Sequence, residues 1–153
     1  MSDREDKQKD GSVIAAVDLD PSARAVAERA CELAHCLGVE ARVVHVLDEP
    51  EIVNPANEFT LADLEPEEFE EKELEAALAA RRMLESSLRG VLEECAELVV
   101  LIGRPADKLV AYAREHGART LVVGQPHAHF GSLATRLARH APCDVHIVRT
   151  REQ

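Results

Sequence analysis

Aromatic side chains are almost missing: they make up 3% of the 153 residues, with one tyrosine, three phenylalanines and no tryptophan. A core without them has to be built from Leu, Val, Ile and Ala. A surface without them, and without a basic stripe, offers nothing for nucleobases to stack on, which argues against nucleic-acid binding. No apolar run approaches the roughly 20 residues of a membrane-spanning helix, and the opening MSDREDKQKD is the opposite of a secretory leader. The expectation is a cytoplasmic protein that does not engage a membrane, with residues 1–10 as a disordered tail. Cys31, Cys36, Cys95 and Cys143 form no C-x-x-C pair. Each falls in an apolar helical or strand pattern, so reduced, buried thiols are expected. Also missing are a nucleophile–base constellation, paired catalytic carboxylates and a complete P-loop, so an enzyme is not expected.

Basic residues are scarce in one place only. Between Asp48 and Glu75 stand 12 acidic residues and one basic residue, Lys72, and this stretch alone accounts for the net charge of −11. From Gly103 to Gln153 eight Arg or Lys outnumber four Asp or Glu, so that half is locally positive and suited to an anion. Residues 48–65, with Pro50, Pro55 and Asn57, read as an irregular acidic loop inserted in a domain spanning 11–150. A chain of this length buries about two-thirds of its unfolded surface without disulfides or metal.

Five β-rich runs are present: Ser12–Val17, Arg42–Leu47, Glu97–Ile102, Thr120–Val123 and Val145–Val148. Helical patterns fill every gap. Asp20 caps the first helix with Pro21 at its first position, and Val26, Ala30, Leu33 and Leu37 recur until Gly38 stops it. The second helix carries Leu74, Ala77, Ala80, Leu84, Leu88 and Val91 on one face, and Glu67, Glu68, Glu70 and Glu71 near its positive end. The third opens at Pro105, with Ala106, Leu109, Val110 and Ala113 inward. The fourth has Ser132 as its cap and Leu133, Ala134, Leu137 and Ala141 inward. Alternating strand and helix predict a doubly wound α/β fold, a five-stranded parallel sheet of order 3-2-1-4-5 in a three-layer, Rossmann-like sandwich.

In such a sheet a ligand sits beyond the carboxyl ends of the strands where the order reverses, between the first and fourth strands. Those ends are Asp18 and Gly124. Asp18 can accept a hydrogen bond from an amine or hydroxyl, or merely help cap a helix. Gly124, Gly131 and Ser132 offer donors to an anion, or merely permit tight turns. A phosphate-accepting receiver domain would need an aspartate at the end of the third strand, where Leu101-Ile102-Gly103 stands. A flavodoxin-like domain would need a Ser/Thr-rich loop after the first strand, where Leu19-Asp20-Pro21-Ser22 stands. His127 and His129 form an H-x-H pair, but no third and fourth ligand follow nearby, so no metal site is expected. His45 and His146 lie within strands and read as packing or sheet-edge groups.

The ordered pieces Val13-Ile14-Ala15-Ala16-Val17-Asp18, Arg42-Val43-Val44-His45-Val46, Gly103-Arg104-Pro105-Ala106, Leu121-Val122-Val123-Gly124 and Gly131-Ser132, with His140-Ala141-Pro142-Cys143-Asp144-Val145 and Val148, resemble the universal stress protein family over about residues 11–150. The resemblance implies a regulatory or protective protein acting in the stress response. It also implies a homodimer formed through the last strand, here Val145, His146, Ile147 and Val148. Family members divide into those that bind ATP and those that do not. Binders share an aspartate ending the first strand, a contact from the second strand and a loop G-x2-G-x9-G-[S/T]. Asp18 matches the first element, Val44 the second, and Gly124, Gly131 and Ser132 parts of the third. The second glycine is replaced by His127, and six residues separate Gly124 from Gly131, half the motif's spacing. The expectation is therefore no tight ATP binding. The alternatives are an adenine-nucleotide sensor using this cleft, with His127, His129 and Arg136 in place of lost backbone donors, and a slow nucleotide hydrolase or autophosphorylating protein with Ser132 as acceptor.

Overall fold

The computed structural model describes residues 11–48, 66–125 and 132–149. Most of the 48–65 loop, the 1–10 tail, His127, His129 and Gly131 lie outside the described residues. The elements in chain order are β1 (Ser12–Ala16), α1 (Ser22–Leu37), β2 (Glu40–Leu47), α2 (Pro66–Ser87), a short 3₁₀ turn (Leu92–Glu94), β3 (Glu97–Ile102), α3 (Pro105–Glu115), β4 (Ala118–Gly124), α4 (Ser132–His140) and β5 (Asp144–Val148). The strands form one parallel sheet of order β3-β2-β1-β4-β5. This is the expected topology.

Strand alternation divides the core between the two faces of the sheet. Val13, Ala15, Val43 and Val122 pack with Ala23, Val26, Ala27 and Ala30 of α1 and Leu84 of α2. Ile14, Val44, Val46, Leu121 and Val123 face Leu109 and Ala113 of α3 and Leu137 of α4. Small alanines on α1 let that helix lie close to the sheet. In this way aliphatic residues replace the absent aromatic bulk.

Four local expectations are corrected. Pro21 lies just outside α1 as its N-cap residue, and Asp20 accepts hydrogen bonds from the Ser22 N–H (2.8 Å) and the Ser22 hydroxyl. The second helix ends at Ser87, and Leu88 and Val91 complete the core from the turn that follows. On that helix Leu74 is 61% exposed although it shares the periodic apolar pattern, whereas Leu84 is 1% exposed. The cysteines are not uniformly buried: Cys36 is exposed, and Cys31, Cys95 and Cys143 are half-buried.

Beyond β3 the chain must turn sharply to begin α3. Gly103 makes the turn at φ +143°, its N–H donating to the Leu47 carbonyl at 2.9 Å. A Cβ there would lie 2.7 Å from Lys108 Cε. The lysine chain could move aside, but the backbone angle calls for glycine, and the turn delivers Pro105 to the carboxyl end of the sheet.

Candidate functional site

β1 and β4 are adjacent, and α1 and α4 leave their carboxyl ends toward opposite faces. The chain therefore opens a crevice at this point of the sheet. Asp18, Val44 and Gly124 line it together, joined by Val46, Pro105 and Leu133. Three of the residues singled out from sequence thus converge. Ser132 begins α4 beside the crevice, and His127 and Gly131 lie outside the described residues.

Hydrogen bonding fixes the exit of β1. The Val17 N–H donates to the Val44 carbonyl at 2.9 Å, and the Val17 carbonyl accepts from His45 Nδ1 at 2.7 Å. His45 is 4% exposed, and its Nε2 is buried without a hydrogen-bond partner among the described residues. Because a carbonyl only accepts, Nδ1 carries the proton, and in the neutral ring Nε2 presents a lone pair. His45 therefore holds the backbone one residue before Asp18. The residue is a packing group, as its strand position implied, and it also fixes the backbone that leads to Asp18. The sequence signal was a single polar residue interrupting an otherwise apolar strand.

Asp18 is exposed as a residue, yet its carboxyl group lies low enough in the crevice that lost hydration raises its pKa above the ordinary value. Repulsion from Asp20 adds to the rise, and His45 opposes it. A carboxyl held this way is suited to accept from, or share a proton with, a polar ligand. Gly124 also has a packing role. A Cβ on it would come within 3.3 Å of Val26 Cγ2 and 3.4 Å of Ser22 Oγ, so its bareness lets the start of α1 pack against β4.

The crevice is small. The cavity between these walls is about 40 Å³, against a usual ligand pocket of about 300–1,000 Å³. Val44, Val46, Pro105, Leu109 and Leu133 line it with apolar side chains. No group of three or more potential metal-ligating side chains comes together among the described residues, and no described helix is long and apolar enough to cross a membrane.

The strand order, with helices on both faces of the sheet, defines a doubly wound α/β protein. The model of the universal stress protein family matches residues 11–149, and the chain belongs to that family. Among solved structures it is similar to the universal stress protein UspA from Lactobacillus plantarum, at 22% identity and a TM-score of 0.63 over 92% of this chain and 99% of that one. It is also similar to the universal stress protein from Archaeoglobus fulgidus in complex with dAMP, at 27% identity and a TM-score of 0.52 over 90% and 96% of the two chains. A universal stress protein in complex with cAMP matches at 20% identity and a TM-score of 0.57 over 92% and 98%. No curated protein sequence matches the chain.

Proposed function

We propose that this chain is a homodimeric regulatory or protective member of its family that acts in the cytoplasm without efficient catalysis and without tight ATP binding. The observation that carries this reading is the small crevice, about 40 Å³, lined by Pro105, Leu109 and Leu133. The six-residue Gly124–Gly131 spacing supports it, since so short a segment cannot wrap three phosphates, and His127 stands where close backbone approach needs glycine. Dimerisation would use the edge of β5 that no other described strand pairs with.

A second reading, an adenine-nucleotide sensor, is favoured by the convergence of Asp18, Val44 and Gly124 and by the similar folds solved with dAMP and cAMP. Calorimetry with ATP, ADP and AMP on the full chain, after an acid extract has been checked for co-purified nucleotide, separates the two. The leading reading expects an empty extract and no micromolar binding. Micromolar binding that disappears in Asp18→Ala would overturn it and make the protein a nucleotide sensor with a rebuilt phosphate loop.

A further inference from the structure

The opposite end of the sheet carries a second, unrelated concavity, a groove of about 1,000 Å³ where β2 and β3 begin. Its walls include Cys31, His35, Gly90, Glu93, Glu94 and Cys95. Cys31 comes from the middle of α1 and Cys95 from the residue after the 3₁₀ turn, 64 positions away. Their sulfurs nevertheless lie 3.5 Å apart. Both thiols are half-buried, and both line the groove. Forming a bond of about 2 Å would require the two sulfurs to close by roughly 1.5 Å, within reach of side-chain rotation.

We propose that Cys31 and Cys95 are a dithiol oxidation site, converted to an intramolecular disulfide by low-molecular-weight disulfides that enter the groove. The Cys31 thiolate attacks one sulfur of glutathione disulfide. The S–S bond of the reagent breaks, one glutathione thiolate leaves, and a mixed disulfide forms on Cys31. Cys95 then loses its proton, and its thiolate attacks Cys31 Sγ. The protein disulfide forms and the second glutathione thiolate departs. Two protein thiols are oxidised by two electrons, the reagent is reduced to two thiols, and the two protons released end on those thiols.

The surroundings assign the order and the pace. Burial raises the Cys31 pKa and the carboxylates of Glu94, Glu28 and Glu32 add to the rise, while a hydrogen bond from Cys95 opposes it. Cys95 is pushed up to about 12 by burial, by Cys31 and by Glu94 and Glu93, and its thiol also lies 3.4 Å from the Val91 carbonyl, which can accept its proton. Cys31 is therefore the attacking thiol and Cys95 the resolving one. Scarcity of thiolate makes the site slow at neutral pH, and its rate rises about tenfold per pH unit below the thiol pKa values.

The test is incubation of the full chain carrying Cys36→Ser, which removes the exposed competing thiol, with glutathione disulfide over a pH series. Peptide mapping by mass spectrometry and thermal melting follow. The expected product is a Cys31–Cys95 linked peptide two hydrogens lighter than the reduced pair. Its rate should climb with pH, and Tm should rise by about 5 °C or more, because a long loop is closed in the unfolded chain. Cys31→Ser should abolish the reaction at this site, whereas Cys95→Ser should stop it at the mixed disulfide on Cys31. Mixed disulfides that persist on the chain with both thiols present, or cross-links between molecules in place of the internal one, would overturn the proposal. The mapping needs only the Cys36→Ser chain, so failure of either other serine variant to fold does not remove the test. The groove lies at the other end of the strands from the Asp18 crevice, so neither nucleotide result bears on this one.

Discussion

His45, on β2, and Asp18, just beyond β1, meet around the exit of β1, and their energetics run in opposite directions. His45 secures the Val17 carbonyl through a buried hydrogen bond of 2.7 Å. Asp18 sits where burial and the neighbouring Asp20 make its charge costly. A raised pKa in the folded state means that the folded protein holds its proton more tightly than the unfolded chain does. The associated stability is present below the ordinary value of 3.8 and is lost as pH rises through the folded-state pKa. At neutral pH the charged Asp18 therefore destabilises the fold. Asp18→Asn is expected to raise Tm at neutral pH, and the gain should shrink toward zero as pH falls to the ordinary aspartate value. Melting curves of both proteins across that range would check it, and a pH-independent difference would count against a charge origin. A carboxyl retained at a cost to stability fits a binding role better than a scaffolding one.

Helix α2 shows which parts of an element the pattern of residues reveals. Its apolar spacing is regular from Leu74 to Leu84, but only the part nearer its end packs on the core: Leu74 is 61% exposed and Leu84 is 1% exposed. Leu84→Ala should cost about 2–5 kcal/mol in urea unfolding, and Leu74→Ala close to nothing. Equal losses would mean that the whole apolar stripe is buried in solution. A second element-level device ties α3 to the sheet edge. The Tyr112 hydroxyl and the Arg42 guanidinium both donate to the Glu97 carboxylate, and the Tyr112 ring stacks on His116 with centroids 3.9 Å apart. The hydrogen bond from Tyr112, with Arg42 beside it, holds the Glu97 pKa below the ordinary carboxylate range, while burial and Glu97 push Tyr112 up to about 12. Tyr112→Phe should cost about 1 kcal/mol, read as a Tm lower by about 2–4 °C. Part of that loss should vanish in acid, because the stability from a depressed carboxylate is present above 4.5 and disappears as pH falls through the folded-state pKa. The five strands were legible because β-branched runs bounded by glycine and capped helices are local signals. The Arg42–Glu97–Tyr112 cluster, the 3.5 Å approach of Cys31 to Cys95 and the place of Leu133 in the crevice wall were not legible. Each joins residues far apart in sequence, and only tertiary packing decides where they meet.

At the scale of the whole molecule, charge and sheet edges decide how one chain meets another. The stretch from Asp48 to Glu75 holds all of the net charge, so copies meeting through that region repel, whereas the half beginning at Gly103 is locally basic and carries β5. Among the described residues β5 pairs with β4 on one side only, so its other backbone edge could take a second copy. Side chains on it divide the work. Val148 is buried in its own core, Val145 and His146 are half-buried, with His146 Nε2 3.3 Å from Arg29 Nη1, and Ile147 is 41% exposed. Ile147 is thus the large apolar group that β5 offers to a partner, while Val148 anchors the strand. If the homodimer forms here, Ile147→Arg places a desolvated, repelling charge at the two-fold contact and should weaken association at least tenfold. Its Tm as a monomer should stay close to that of the parent, because an exposed position contributes little to the core. Sedimentation equilibrium across a dilution series reads both the parent and the variant. A parent that is dimeric and a variant that dissociates assign the interface to β5. A variant that remains as tightly dimeric as the parent moves the contact to another surface, and the free edge of β3 at the far side of the sheet becomes the next strand to change.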